Sequence, residues 1–359
     1  MNSIPEKEHR IRVGITHGDI NGISYEIIIK TLQDQRLLEL YTIIVYGSSK
    51  VASYHRKTLN IPDSNFNLIK KAEMAHLRRP NIINIIEDEV KIDLGKSTNI
   101  AGELALLSLE MATEDLMKNH IDVLVTAPIN KKNIQSPGFT FPGHTEYLTQ
   151  KFNVKDSLML MISESVRIGV ITGHIPLNKV STAISENLIF QKIKILDFSL
   201  KRDFGIIKPR IAILALNPHA GDEGLIGDED NTIIRPAIQK AFDQDILAFG
   251  PYPADGFFGS SDFTKFDGVL AMYHDQGMIP FKLLSFENGI NFTAGLPIVR
   301  TSPAHGTAYN ISGKNEANME AFRNAVYLAC DIYNNRVAYD ELIAGSLHPT
   351  VNLESEGPQ

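Results

Sequence analysis

Cysteine is nearly absent from this 359-residue chain, and tryptophan is absent altogether. Cys330 is the single cysteine, so no internal disulfide can close and no thiolate cluster can hold a metal. A basic excess is also lacking. The chain has 35 Lys and Arg against 42 Asp and Glu, a net charge of -7, so there is no footprint for nucleic acid or an anionic membrane. No apolar run approaches the ~20 residues of a membrane span. The stretch Met1–Arg12 is polar and of mixed charge, unlike a secretory signal. The expectation is a soluble, cytoplasmic protein without nucleic-acid or membrane partners. Repeats and low-complexity tracts are missing as well. So is any Gly-x-Gly among the 25 glycines, which excludes the Gly-x-Gly-x-x-Gly fingerprint of the common dinucleotide (Rossmann) fold. A nicotinamide cofactor would have to bind by another route.

What is present is an ordinary globular composition, 43% hydrophobic and 21% charged, with room for two domains. Short β-branched runs recur at Ile11–Thr16, Thr42–Tyr46, Asn81–Ile86, Asp122–Thr126, Arg167–Thr172, Arg210–Leu216 and Asp267–Met272. They are nearly continuous rather than alternating, as in strands buried on both faces of a mainly parallel sheet. Helical patterns at Glu103–Lys118, Asn231–Phe242 and Asn315–Tyr333 lie among them. So does one that Ser185 caps, with Ile189, Ile193, Leu196 and Leu200 at helical spacing. The alternation predicts an α/β architecture. Pro/Gly-rich turns around Gln135–Gly143 and Gly250–Gly259 read as loops at a cleft or as domain crossovers.

Three of the apolar runs lead into a histidine: His174, His219 and His274. Ligands of open α/β sheets bind beyond the carboxyl ends of strands, and imidazole is the commonest metal ligand. A single histidine in such a place is usually a hydrogen-bonded loop residue. Three at equivalent positions raise a metal site as one of two readings.

Longer strings carry more. Val125-Thr-Ala-Pro-Ile-Asn-Lys131, Phe141-Pro-Gly-His-Thr-Glu-Tyr-Leu148, Leu216-Asn-Pro-His-Ala-Gly221 and Gly250-Pro-Tyr-Pro-Ala-Asp255 occur in that order. Met272-Tyr-His-Asp-Gln-Gly277 and Gly295-Leu-Pro-Ile-Val-Arg-Thr-Ser302 follow. From about Val13 to Asn318 the chain resembles the 4-hydroxythreonine-4-phosphate dehydrogenase family of vitamin B6 synthesis, within the isocitrate/isopropylmalate dehydrogenase-like superfamily. The resemblance implies two α/β domains around a central cleft. Residues 1–135 with 300–359 would form a discontinuous nucleotide-side domain, and 136–299 the metal, substrate and dimerisation domain. It implies His174, His219 and His274 as ligands of one divalent ion, zinc, cobalt or magnesium, in a site shared by both subunits of a homodimer. His144, Thr145, Lys282, Asn291 and Arg300 match its substrate positions, types suited to phosphate and carboxylate.

Ser302–Asn318 resembles the superfamily's nucleotide loop, which implies that His305, Gly306, Thr307 and Asn318 contact NAD or NADP. Asn310 stands where NAD-preferring members often carry an acid, which leaves the preference between the two cofactors open. Thr16-His-Gly-Asp-Ile-Asn-Gly-Ile-Ser24 departs from the family's usual Thr-Pro-Gly-Asp-Pro-Ala-Gly-Ile-Gly at His17, Ile20, Asn21 and Ser24, and Gly256 replaces a common threonine.

The implied reaction is NAD(P)-dependent oxidation of 4-phosphohydroxy-L-threonine to 2-amino-3-oxo-4-(phosphohydroxy)butanoate. That product decarboxylates to 3-amino-2-oxopropyl phosphate. Asp255 or Asp275 would take part in removing the hydroxyl proton. The rival substrates are 4-phosphothreonate and 4-phosphoerythronate. A metal-dependent phosphohydrolase and a non-catalytic ligand-binding protein are the alternatives of another class.

Overall fold

Burial of the β-branched runs dictates the architecture. The computed structural model describes residues 9–61, 65–136 and 139–345. Most of the polar Met1–Arg12 stretch, and residues 137 and 138 of the turn cluster Gln135–Gly143, lie outside the described residues. Twelve strands form one sheet. From edge to edge it runs Asn67–Ile69 (β3), Asn81–Asn84 (β4), Thr42–Gly47 (β2), Arg12–Thr16 (β1), Val123–Thr126 (β5) and Arg300–Pro303 (β12). It continues through Ile290–Ala294 (β11), Leu158–Ile162 (β6), Arg167–Thr172 (β7), Gly268–Tyr273 (β10), Arg210–Leu214 (β8) and Leu247–Tyr252 (β9). Pairing is antiparallel only between β11 and β12, β11 and β6, and β6 and β7.

Alternate residues of β5 show how both faces are covered. Leu124 packs in one cluster with Ala105 and Leu109 of the helix Asn99–Met117. Val123 and Val125 pack in another with Phe322 and Val326 of the helix Glu320–Ala344. Burying each such large aliphatic or aromatic side chain stabilises the fold by roughly 1.5–3 kcal/mol. Ser185 caps the helix Glu186–Arg202 by accepting the Leu188 N–H at 3.2 Å. Ile189, Ile193, Leu196 and Leu200 are its buried stripe.

All seven predicted strands are present, and the α/β architecture is as expected. Five strands were not predicted; of these β6 is wholly apolar, Leu-Met-Leu-Met-Ile, whereas others have little apolar pattern of their own. Arg-Thr-Ser-Pro of β12 is an example, a strand because β5 and β11 supply ladders on both sides. Two ranges are corrected. The last helix begins at Glu320, not Asn315, because the Asn318 side chain accepts the Glu320 N–H at 2.8 Å, and it runs on to Ala344. Gly250–Gly259 is no loop but the end of β9 and a short helix, Ala254–Gly259. Among the described residues, no helix is long and apolar enough to cross a membrane.

The unusual turn after β1 is held by the very residues that make it unusual. Asn21 donates to the Lys96 carbonyl at 3.0 Å and to Thr98 Oγ1 at 2.9 Å, and accepts the Asp93 N–H at 2.9 Å. Ser24 Oγ donates to the Pro128 carbonyl at 3.0 Å. The Tyr25 ring stacks on that of His55, centroids 5.2 Å apart, and meets the tilted ring of His17 at 5.4 Å. His17 Nε2 meets the Leu104 carbonyl at 3.1 Å and His55 Nε2 the Ile20 carbonyl at 2.8 Å. A carbonyl only accepts, so Nε2 carries the proton in both rings. Burial pushes both histidines down to about 4.

That depression links stability to pH. Below the ordinary value of 6.5 the unfolded chain takes up protons that the folded chain refuses, so stability present above pH 6.5 is lost as pH falls towards 4. The expected loss between pH 7.5 and 5 is about 2 kcal/mol per histidine. Urea denaturation at the two pH values measures it, and His55→Gln should remove about half of the histidine contribution.

Candidate active site

The carboxyl ends of β5, β7 and β12 surround a cavity of about 470 Å³, in the size range of small-ligand sites. Its floor is the Arg300 guanidinium, only 3% exposed. Arg300 Nε and Nη2 donate to Thr126 Oγ1 at 3.1 and 2.6 Å, and Nη2 also reaches His144 Nδ1 at 3.0 Å. Both partners are neutral. Burial lowers Arg300 to about 10, with Glu146 opposing the shift, so the group stays charged at neutral pH. A buried cation without a carboxylate contact is costly unless an anion arrives.

The surrounding groups point the same way. Guanidinium has no acceptor, so His144 Nδ1 must accept, which places the proton on Nε2. Burial, then the charges of Arg300 and Lys131, hold His144 well below its usual value. Its Nε2 is buried without a partner, as are Asn291 Oδ1 and His305 Nε2. The His305 Nδ1 proton goes to the Gly306 carbonyl at 3.1 Å, leaving a lone pair on Nε2. Residues lining the cavity thus hold three buried polar atoms without protein partners, one N–H donor and two acceptors, beside the Arg300 cation.

A knot of side chains fixes the rim. Asp19, fully buried, accepts from Asn133 Nδ2 at 2.8 Å and from Tyr309 Oη at 2.7 Å. Asn130 Nδ2 donates to the same Tyr309 oxygen at 3.1 Å. Gly22 is required here, since a Cβ would lie 2.6 Å from the Thr307 carbonyl, and Gly102 lets the Asn133 carbonyl approach to 1.9 Å of where its Cβ would be. The turn after β1, the loop after β5 and the loop Ser302–Asn318 are thus tied directly to one another.

The three histidines are not all brought together. The His174 and His274 rings lie 5.2 Å apart. His274 Nδ1 donates to Asp275 Oδ1 at 2.6 Å, which frees Nε2 as a lone-pair donor, the arrangement that metal-binding histidines use. His174 is lowered by burial, by Lys131 and by His274. His219 stands apart and exposed, in a turn where His219 to Glu223 all have left-handed φ between 44 and 80°. For its non-glycine residues that conformation costs about 1–2 kcal/mol each. The buried Asp230 carboxylate steadies the turn's start by accepting the N–H groups of Leu216 and Asn217 at 2.8 and 3.1 Å. Among the described residues, no three His, Cys, Asp or Glu side chains of one chain could jointly hold a metal.

The other predicted residues divide similarly. His144, Thr145, Asn291, Arg300, His305 and Gly306 line the cavity. Lys282 is exposed on the helix His274–Ser285, and Asp255 is exposed at the start of its short helix; both lie outside the cavity. Asp275 is spent on His274. Thr307 turns its carbonyl to the Ile23 N–H at 3.1 Å. Asn310 is exposed in the turn Tyr309–Ile311, and Asn318 caps the last helix and donates to Glu287 at 3.3 Å. Sequence reasoning missed Thr126, Lys131 and Glu146. The only available signal was that Thr126 and Lys131 sit in the string Val125–Lys131, and Glu146 in Phe141–Leu148. Thr126→Val should orphan the Arg300 Nε proton and lower unfolding free energy by about 1–3 kcal/mol in urea titration.

The family model described as pyridoxal phosphate biosynthetic protein PdxA matches residues 39–329. A 4-hydroxythreonine-4-phosphate dehydrogenase of Bacteroides thetaiotaomicron is 52% identical over 92% of this chain and 91% of its own length. A D-threonate 4-phosphate dehydrogenase of Salmonella typhimurium is 36% identical over 89% of this chain and 98% of its own. A crystal structure of 4-hydroxythreonine-4-phosphate dehydrogenase from Klebsiella pneumoniae superposes with a TM-score of 0.78 at 33% identity, covering 90% of this chain and all of that one.

Proposed function

This chain belongs to the pyridoxal phosphate biosynthetic protein PdxA family, and we propose that it oxidises 4-phosphohydroxy-L-threonine with NAD or NADP. The product, 2-amino-3-oxo-4-(phosphohydroxy)butanoate, loses carbon dioxide to give 3-amino-2-oxopropyl phosphate. The observation that carries this reading is the buried Arg300 cation with its neutral His144 partner, in one cavity with His174 and the cofactor-loop residue His305.

Each residue has a task in that reaction. Arg300 receives an anionic group, His144 Nε2 donates a hydrogen bond to the substrate, and Asn291 Oδ1 and Thr145 orient its polar groups. His174 and His274 fit a divalent ion, zinc, cobalt or magnesium, as neutral imidazoles, and His219 of a second copy completes the set. When bound, that ion supplies Lewis acidity that lowers the pKa of the substrate hydroxyl, and the nicotinamide accepts the hydride. Asp275 fixes the His274 tautomer, while Asp255 of the facing copy is the candidate base. Thr307, Asn310 and Asn318, with His305 and Gly306, form the cofactor side; asparagine at 310 does not repel a 2′-phosphate.

A homodimer follows from the same reading. Ile279, Leu283 and Phe286 are 60, 83 and 74% exposed at helical spacing beside Lys282, an apolar stripe that a second copy would cover. The lobes would be 1–135 with 300–359 and 136–299, meeting where β12 pairs with β11, and the enzyme would work in the cytoplasm. The relative named for D-threonate 4-phosphate supports a second reading, a phosphorylated threonate or erythronate as substrate.

Cofactor reduction with 4-phosphohydroxy-L-threonine, exceeding that with 4-phosphothreonate or 4-phosphoerythronate, is the expected result. The reverse order favours the second reading. Phosphate release without cofactor reduction would indicate a hydrolase, and no turnover a ligand-binding protein. His219→Ala should lose the metal and about a hundredfold or more of activity while its circular dichroism is unchanged; a metal-replete, fully active variant sinks the assignment. Leu283→Glu should shift the light-scattering mass from dimer to monomer.

A further inference from the structure

Arg300 is one cation, yet the proposed substrate carries two anionic ends, a carboxylate and a phosphate. The lysine expected from sequence for the second end, Lys282, lies outside the cavity of its own chain. Another lysine lines it. Lys131 stands at the exposed rim, and its Cε is 3.7 Å from where a Cβ on Gly143 would be, immediately before His144. Among the described residues its ammonium has no ion-pair or hydrogen-bond partner. Lys131 shares the cavity lining with His144 and His174.

The loop beneath it is pinned by hydrogen bonds. Pro128 accepts from the Asp19 N–H at 2.9 Å, Lys132 N–H donates to Asn130 Oδ1 at 2.9 Å, and Asn130 and Asn133 are tied into the Asp19–Tyr309 knot. An unpaired lysine on a flexible loop is an ordinary surface charge. One presented by a pinned loop at the mouth of a cavity with a buried cation is a second anion contact. The rim is the wetter position, which suits a dianionic phosphate met by a compact ammonium, and the buried planar guanidinium is left for the other anionic end. Glu146, whose Oε2 is 3.4 Å from the same Gly143 Cβ position, shares the rim. With it the cavity carries one net positive charge, enough to favour anions without closing on itself.

We propose that Lys131 is a substrate-binding residue that reads the phosphate end, so that this cavity selects small acids with an anionic group at each end. The inference rests on the proposed reading of the cavity as the substrate site. Lys131→Ala and Lys131→Arg are compared with wild type in two measurements. In steady-state kinetics with 4-phosphohydroxy-L-threonine and its unphosphorylated counterpart, Lys131→Ala should raise KM for the phosphorylated substrate about tenfold. It should leave kcat within about threefold and erase most of the preference for phosphate, and Lys131→Arg should restore it. In calorimetric titration with inorganic phosphate, which needs no turnover, Lys131→Ala should bind about tenfold more weakly than wild type. Unchanged phosphate affinity, or equal losses on both substrates, overturns the role of Lys131. Absence of turnover in wild type, with phosphate binding still dependent on Lys131, overturns the reaction instead and leaves the anion site standing.

Discussion

Arg300 carries a full positive charge to the floor of a cavity and meets no carboxylate there, only the Thr126 hydroxyl and an imidazole nitrogen of His144. Much of the local chemistry follows from that placement. Because guanidinium can only donate, His144 is confined to one tautomer, and its remaining N–H is buried without a partner. Because the charge is desolvated and unneutralised, it discourages protonation of its neighbour and favours an anionic ligand. The strand that carries Arg300 is short and polar, and it persists because β5 and β11 bond it from both sides.

The rest of the site is organised by how three chain segments are tied together. Asp19, Asn130, Asn133 and Tyr309 couple the turn after β1 to the loop after β5 and to the loop that follows β12. The loop that follows β12 is thereby bonded to the loop bearing Lys131 through residues outside the cavity lining. The left-handed turn at His219 contrasts with this economy. It is strained and exposed, and His219 lines neither the cavity nor the pocket shared by His174 and His274. Backbone strain of this kind clusters at functional sites, in keeping with the role proposed for His219.

Much of this was legible in the residues. Continuous β-branched runs announced the parallel strands, since a strand covered on both faces needs no polar alternation. Ser185 announced a helix start that the structure contains. His144, Thr145, Asn291, Arg300, His305 and Gly306, drawn from strings up to about 160 residues apart, do line one cavity. Less legible were strands such as β12, whose pattern depends on neighbours rather than on its own side chains. Lys131 was hidden too, since its surroundings, a glycine's missing side chain and a pinned loop, are not local in sequence.

By itself the sequence determined the α/β class, the exclusion of disulfide and thiolate chemistry, and the family, because these depend on composition, periodicity and ordered strings. Tertiary structure alone decided which of the expected site residues share a cavity, that only two of the three histidines meet within one chain, and which lysine stands over the site. Those questions turn on distances between segments remote in sequence. They are settled by strand order, by the tie between Asp19 and Tyr309, and by the two hydrogen bonds that hold the Arg300 guanidinium against Thr126.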